Sequence, residues 1–344
     1  MPLKLTSRIA VMLAVPLLAA AVPLCAQTNL TGAGATFPAP IYQKWFSEYQ
    51  SVGKVQINYQ ANGSGGGIKA VTEGTVDFGA SDMPMTDEQL KAFKEKNNSD
   101  VLLFPTVLGA AVPTYNVPGV TGELNFTPQV LAGIFLGTIK TWNDPQIKKA
   151  NPNAKLPDDK IIVVHRSDGS GTTFCWTDYL SKVSPEWSSK VGKNTSVNWP
   201  TGLGAKGNDG VAGVIKQQKG SLGYVELIYA IKNHLSYGNV QNKSGEFVKA
   251  DLKSVTAAAA AAKEMPADFR VSITNESGTG VYPISTYTWL LVPAKISDAG
   301  KKKALTGFLK WAITTGQGSV ESLDYAKLPQ SVVSKEERQI AQIK

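Results

Sequence analysis

Two features of this chain predict an α/β fold. Short apolar, β-branched runs alternate along its length with stretches of helical periodicity, the pattern of sheets, here mainly parallel, covered by helices. Small residues also crowd three junctions between a strand and a helix: Gly32-Ala33-Gly34-Ala35-Thr36-Phe37, Asn62-Gly63-Ser64-Gly65-Gly66-Gly67 and Asp168-Gly169-Ser170-Gly171-Thr172. With 344 residues, 42% apolar and 18% charged, the chain can build two ordinary domains or one large one around a packed core.

At the N-terminus, Lys4 and Arg8 precede an apolar stretch, Ile9–Leu24, broken by Pro16 and Pro23, and Ala26 offers a small residue for cleavage. This reads as an export signal over residues 1–26. A membrane anchor is the alternative, since about 17 apolar residues just span a bilayer. Cys25 opens a third reading, a lipidated N-terminus, which Leu24 fits poorly. If Cys25 leaves with the signal, only Cys175 remains, no internal disulfide forms, and Cys175 reads as a small buried apolar side chain.

The first Gly-rich junction leads into a helix over Pro38–Tyr49. Val55–Tyr59 is a strand that feeds the second junction and a helix over Ile68–Glu73. Thr75–Gly79 is a strand ending in Ala80-Ser81-Asp82, and Thr86 caps a helix running to Lys96. Val101–Val112 is a long apolar run around Pro105. Pro128–Phe135 is a helix, Ile161–Val164 a strand, and Thr173–Leu180 the helix after the third junction. A helix over Asp209–Gln217 and a strand over Gly223–Glu226 follow. The alanine run Ala257–Ala262 is helical, Tyr287–Val292 is a strand, and Lys302–Thr314 is a closing amphipathic helix. No compositional shift marks a linker. Crossings between domains are placed in Phe104–Ala110 and Tyr282–Ser285, which makes 27–106 plus 283–344 one discontinuous domain and 107–282 the other. A ligand cleft between them is expected.

The junctions suit a small anion. A helix start presents free N–H groups, and glycine lets the backbone approach. Thr36, Ser64, Ser170 and Thr172 add hydroxyls, Phe37 and Gly171 add N–H groups, and Arg166 adds an always-charged fork. Asp82 is the odd member, because a carboxylate repels anions. It makes sense if the guest carries a proton, since an ionised carboxylate only accepts; hydrogen phosphate can donate, whereas sulfate cannot. Asp168, two residues from Arg166, can hold the guanidinium. For either aspartate an ordinary turn or cap role is the alternative.

The net charge is +8; without Lys4 and Arg8, 33 basic and 27 acidic residues leave +6. This mild positive field suits an anion, but the lysines are scattered and form no nucleic-acid stripe. Two histidines, His165 and His234, without metal-ligand spacing argue against zinc. His165 reads as a solvent-facing strand end or a neighbour of the ligand. Neither a nucleophile elbow nor a phosphate loop of the GxxxxGK[ST] type occurs. Gly202–Gly207 matches GxGxxG, but Asn198-Trp199-Pro200 rather than a strand precedes it, which argues against a dinucleotide.

In combination, TGAGATFPAPIYQKW (Thr31–Trp45), NGSGGGIKAV (Asn62–Val71), VDFGASDMP (Val76–Pro84), FPTVLGA (Phe104–Ala110), RSDGSGTTF (Arg166–Phe174), GLGAKGNDG (Gly202–Gly210) and LDYAKLP (Leu323–Pro329) resemble the phosphate-binding proteins of bacterial phosphate-specific ABC transporters. The resemblance runs from Leu30 to Val333. It implies a periplasmic binding protein-like fold, two α/β domains around a cleft joined by two hinge crossings. It also implies inorganic phosphate as ligand, no cofactor, and delivery to permease subunits driven by a separate ATPase. The ligand contacts it implies are Thr36, Phe37 through its backbone, Ser64, Asp82, Arg166, Ser170, Gly171 and Thr172. Asp82 would accept the phosphate hydrogen and Asp168 would pair with Arg166. His165 departs from a second basic residue expected there, Pro113-Thr114-Tyr115 departs from an apolar strand, and residues 241–267 match poorly. The expected protein is a monomeric periplasmic receptor and not an enzyme. A binder of another oxyanion, arsenate or sulfate, is one alternative and an exported phosphatase another; Asp82 argues against sulfate.

Overall fold

The computed structural model describes residues 28–262 and 264–344, so the expected export signal lies outside the described residues. In chain order the elements are β1 (Thr28–Gly34), α1 (Ala39–Gly53), β2 (Val55–Gln60), α2 (Ser64–Glu73), β3 (Phe78–Ser81), α3 (Asp87–Asn97), β4 (Val101–Asn116), β5 (Asn125–Phe126), α4 (Pro128–Leu136), α5 (Pro145–Ala150), β6 (Ile162–Arg166), α6 (Gly171–Val183), α7 (Pro185–Lys190), β7 (Leu203–Ala205), α8 (Gly207–Gln217), β8 (Ser221–Glu226), α9 (Leu227–Lys232), β9 (Ser236–Tyr237), β10 (Asn239–Gln241), β11 (Phe247–Val248), α10 (Leu252–Ala261), β12 (Ser285–Pro293), α11 (Ala299–Ile313) and α12 (Gln330–Ile340).

The α/β class holds, but the parallel pairing does not extend through the sheet. Its order is β2-β1-β3-β12-β4-β8-β6-β7. The flanking pairs are parallel, while β12 runs antiparallel to β3 and β4, and β4 antiparallel to β8. The long apolar run is the reason: as one strand, β4 serves both halves of the sheet. Val101–Ala110 pairs with β12, and Ala111–Asn116 pairs with β8. Thr106 is bulged out beside Pro105, where the register against β12 shifts. Pro113 lies just past the switch of partners, opposite Tyr224, and its carbonyl accepts from Gly238 N at 2.9 Å. An imide nitrogen without N–H is tolerated where one neighbour strand has ended.

Each half has an aromatic core. In the first, Tyr42, Phe46, Tyr59 and Phe78 pack with Phe308 of α11. In the second, Trp176, Trp199 and Phe135 gather around Tyr224. Several elements start earlier or later than their sequence suggests. Gly32–Gly34 is the end of β1 rather than a loop, because Phe78 lies where a side chain on Gly32 would go, 2.3 Å from an ideal Cβ. Ser64–Gly67 forms the first turn of α2. Gly74 caps α2 in the left-handed region, with φ +68°, so Thr75–Asp77 turn and β3 begins at Phe78.

Beyond α10 the chain makes an excursion toward the first half of the sheet. Glu264 and Met265 meet Lys335 of α12, and Trp289 Nε1 of β12 donates to Phe269 O at 3.0 Å. Arg270 reaches the start of α3, 2.6 Å from Asp87. Ser272 and Thr274 then return to Asp178 of α6. This strap lies along the first half of the sheet and anchors back on the second.

Candidate functional site

Every site residue named from the sequence converges where the carboxyl ends of β1, β3 and β6 face each other. The backbone at Thr36–Phe37 leaves β1 through Gly34, whose φ of +144° and close approach to Ala80 O exclude a side chain. It is pinned from outside: Tyr229 Oη donates to Thr36 O and Tyr325 Oη to Phe37 O, both at 2.6 Å. From the other half, β6 delivers Arg166, and Ser170 caps α6 by accepting from Thr173 N at 3.1 Å. Thr36, Ser64, Asp82, Arg166, Ser170 and Thr172 are all buried.

Arg166 is held as a fork. Nε donates to Asp168 Oδ1 at 2.8 Å and Nη2 to Oδ2 at 2.5 Å, while Nη1 lies 3.4 Å from Thr172 Oγ1. Asp168 Oδ1 also accepts from Gly207 N at 2.9 Å, at the start of α8. Burial would raise the Asp168 carboxyl; the Arg166 guanidinium and the Gly207 N–H outweigh it and hold it below the ordinary value. Asp168 therefore stays ionised and matches the charge of Arg166.

Asp82 is different. It follows β3 and accepts from Thr288 Oγ1 of β12 at 2.7 Å. Burial pushes its carboxyl up to about 7, against the lowering influence of Thr288, Arg166 and Ser64. A fully buried carboxyl near neutrality can exchange a proton with a guest at working pH.

The two halves touch across the site. Gly171 N donates to Ser64 Oγ at 2.9 Å, Gly65 N to Gly169 O at 2.9 Å, and Asn208 Nδ2 to Thr36 Oγ1 at 2.9 Å. Ser64 Oγ also accepts from Asp82 N at 3.2 Å, so two N–H donors occupy its lone pairs, and its own hydrogen is directed at Asp82 Oδ2, 3.5 Å away.

Sequence reasoning missed Asn208, Thr288, Glu226, Tyr229 and Tyr325, which hold the site from behind. The signals present were Asn208 at the start of a helix and Tyr325 within LDYAKLP. The GxGxxG match does form a short strand and helix start, β7 and α8, but its Gly207 N–H serves Asp168 rather than a phosphate loop. His165 does not face solvent freely: it is half-buried and stacks on Trp199, with ring centroids 4.8 Å apart. Cys175 is buried, as expected.

A model of the PBP superfamily domain matches residues 19–315. The chain is 48% identical over 312 residues to a protein of Pasteurella multocida named phosphate-binding protein PstS, covering 90% of this chain and 89% of that one. It is 44% identical to the protein of the same name in Haemophilus influenzae, covering 91% and 92%. Among solved structures, a high-affinity periplasmic phosphate-binding protein bound with phosphate superposes with a TM-score of 0.74 at 19% identity, over 90% of this chain and 93% of that one. The phosphate-binding protein of Stenotrophomonas maltophilia gives a TM-score of 0.68 at 19% identity, over 89% and 92%. The structural likenesses bear on the fold and the sequence relatives on descent; together they establish that this chain belongs to the PBP superfamily and, within it, to the family of the PstS phosphate-binding proteins.

Proposed function

We propose that this protein is a receptor that captures one inorganic phosphate between the two halves of its sheet and delivers it to the permease subunits of an ABC importer. The observation that carries this reading is the pairing of a dense set of N–H and O–H donors with a buried acceptor, Asp82. Burying an oxyanion without partners costs tens of kcal/mol by Born estimates, so hydrogen bonds must replace water at every oxygen. Arg166 cannot supply the balance as charge, because Asp168 already matches it. Affinity therefore rests on the hydroxyls of Thr36, Ser64, Ser170 and Thr172, the N–H groups of Phe37 and Gly171, and the start of α6, which contributes about 0.3–1 kcal/mol, and up to ~2 when partly buried. Asp82 takes the ligand's hydrogen, so an oxyanion without one leaves a buried acceptor opposed to it.

The same reading assigns 27–106 with 283–344 to one domain and 107–282 to the other. The change of partners along β4 between Ala110 and Ala111 favours a boundary close to that point. Export by residues 1–26, work in the periplasm, action as a monomer, and the lack of a reaction of its own belong to the proposal. No helix among the described residues is long and apolar enough to cross a membrane. The experiment is calorimetric titration of phosphate-stripped protein with phosphate, paired with phosphomonoester assays with and without zinc or magnesium. One-to-one binding without turnover is expected; steady turnover, or no binding, would overturn the reading.

A further inference from the structure

Asn208 lies in the first turn of α8, just after Gly207, and is fully buried. Its amide orientation is fixed by the chain, because Oδ1 accepts from Glu226 N at 3.0 Å. That turns Nδ2 toward two hydroxyls from opposite sides of the site, Thr36 Oγ1 at 2.9 Å and Thr172 Oγ1 at 3.2 Å. Its backbone N also donates to Thr36 Oγ1, at 3.3 Å. Arg166 Nη1 is the second donor to Thr172 Oγ1, at 3.4 Å. A hydroxyl has one hydrogen and two lone pairs. With both lone pairs engaged by N–H donors, each threonine has only its hydrogen left to offer.

We propose that Asn208 is a positioning residue that fixes Thr36 and Thr172 as donors, and so makes the site selective for a ligand that accepts at both positions. Nothing in this requires Asn208 to touch the ligand. Its second effect is to couple closure to polarity, since Thr36 comes from the first half of the sheet and Asn208 from the second. Only when the halves meet are both hydroxyls committed. The inference rests on the phosphate-receptor reading above.

The test is phosphate affinity near pH 8 for the parent, Asn208→Asp, Asn208→Ala, Thr172→Val and the Asn208→Ala/Thr172→Val double variant, with melting temperatures alongside. Asn208→Asp keeps the shape and the acceptor for Glu226 N–H but replaces the donor by an acceptor, drawing the threonine hydrogens away from the ligand. A loss of at least 100-fold is expected. Asn208→Ala should lose about tenfold, and should lose less than threefold more when Thr172→Val has already removed one of the two hydroxyls it acts through. A merely structural role would instead give the same factor in both backgrounds. Should Asn208→Asp fail to fold, the alanine–valine cycle decides alone. Asn208→Asp within threefold of the parent, or multiplicative effects in the cycle, would overturn the proposal. A parent that binds no phosphate refutes the receptor reading instead.

Discussion

Asp82 is the residue on which stability and selectivity meet. Burial raises its carboxyl from the ordinary 3.8 to about 7, so the ligand-free folded protein keeps a proton there that the unfolded chain gives up. The fold therefore binds the extra proton between about pH 4 and 7, and loses stability as pH rises through that window. Above it the cost reaches about 4 kcal/mol, at ~1.4 kcal/mol per pH unit. Asp82→Asn, which keeps an oxygen for Thr288, should raise the ligand-free melting temperature by several degrees at pH 8 and leave it unchanged at pH 4. A second consequence concerns sulfate. Below pH 7 the protonated Asp82 becomes a donor, which a proton-free oxyanion can accept. Sulfate affinity should rise as pH falls from 8 to 5, while the ratio of phosphate to sulfate affinity falls; calorimetric titrations at stepped pH read both. The role proposed for Asp82 is suggested by the sequence, because the wrong charge in an anion loop demands an explanation. That of Asn208 is not, because its importance lies in the two hydroxyls it faces, one of which is far away in the chain.

Among the elements, those with local signals were the legible ones. Thr86 caps α3 with a reciprocal box: Thr86 Oγ1 accepts from Gln89 N at 3.3 Å, and Gln89 Oε1 from Thr86 N at 3.0 Å. The turn is exposed and α3 buries only Phe93, so Thr86→Ala should cost about 0.5–2 kcal/mol, seen as a lower denaturant midpoint with unchanged phosphate affinity. The Gly-rich segments misled about boundaries for a physical reason. Glycine marks close approach as well as loops, and Gly32 sits inside β1 because the Phe78 ring covers it. The antiparallel centre was also hidden. The apolar pattern of β4 says that it is buried, but not that its ends serve different neighbours. Nor does the sequence signal the strap over 264–270, since two of its anchors, Lys335 and Asp87, lie far off along the chain.

Capture of an ion between the two halves of the molecule requires them to close without obstruction. Gly171 is the contact point: an ideal Cβ there would lie 2.5 Å from Asp82 Cβ and 2.6 Å from Ser64 Oγ. Both neighbours come from the opposite half, so an added methyl obstructs closure rather than either core. Gly171→Ala should keep the ligand-free melting temperature within a few degrees and lose at least 100-fold in phosphate affinity. The Arg270–Asp87 pair joins the same halves at the strap, but Asp87 is 83% exposed, so its contribution is held to about 0–1 kcal/mol. Arg270→Ala should speed phosphate release by no more than about fivefold, with the difference fading at high salt. The proposed selectivity for a protonated tetrahedral oxyanion rests on two closing halves and the buried acceptor Asp82. The most direct measurement is calorimetric titration of the parent and Asp82→Asn with phosphate and with sulfate near pH 8. The parent should bind phosphate and ignore sulfate, and Asp82→Asn should bind phosphate more weakly and gain sulfate. An Asp82→Asn protein with unchanged phosphate affinity and no better sulfate binding would contradict the proposed selectivity.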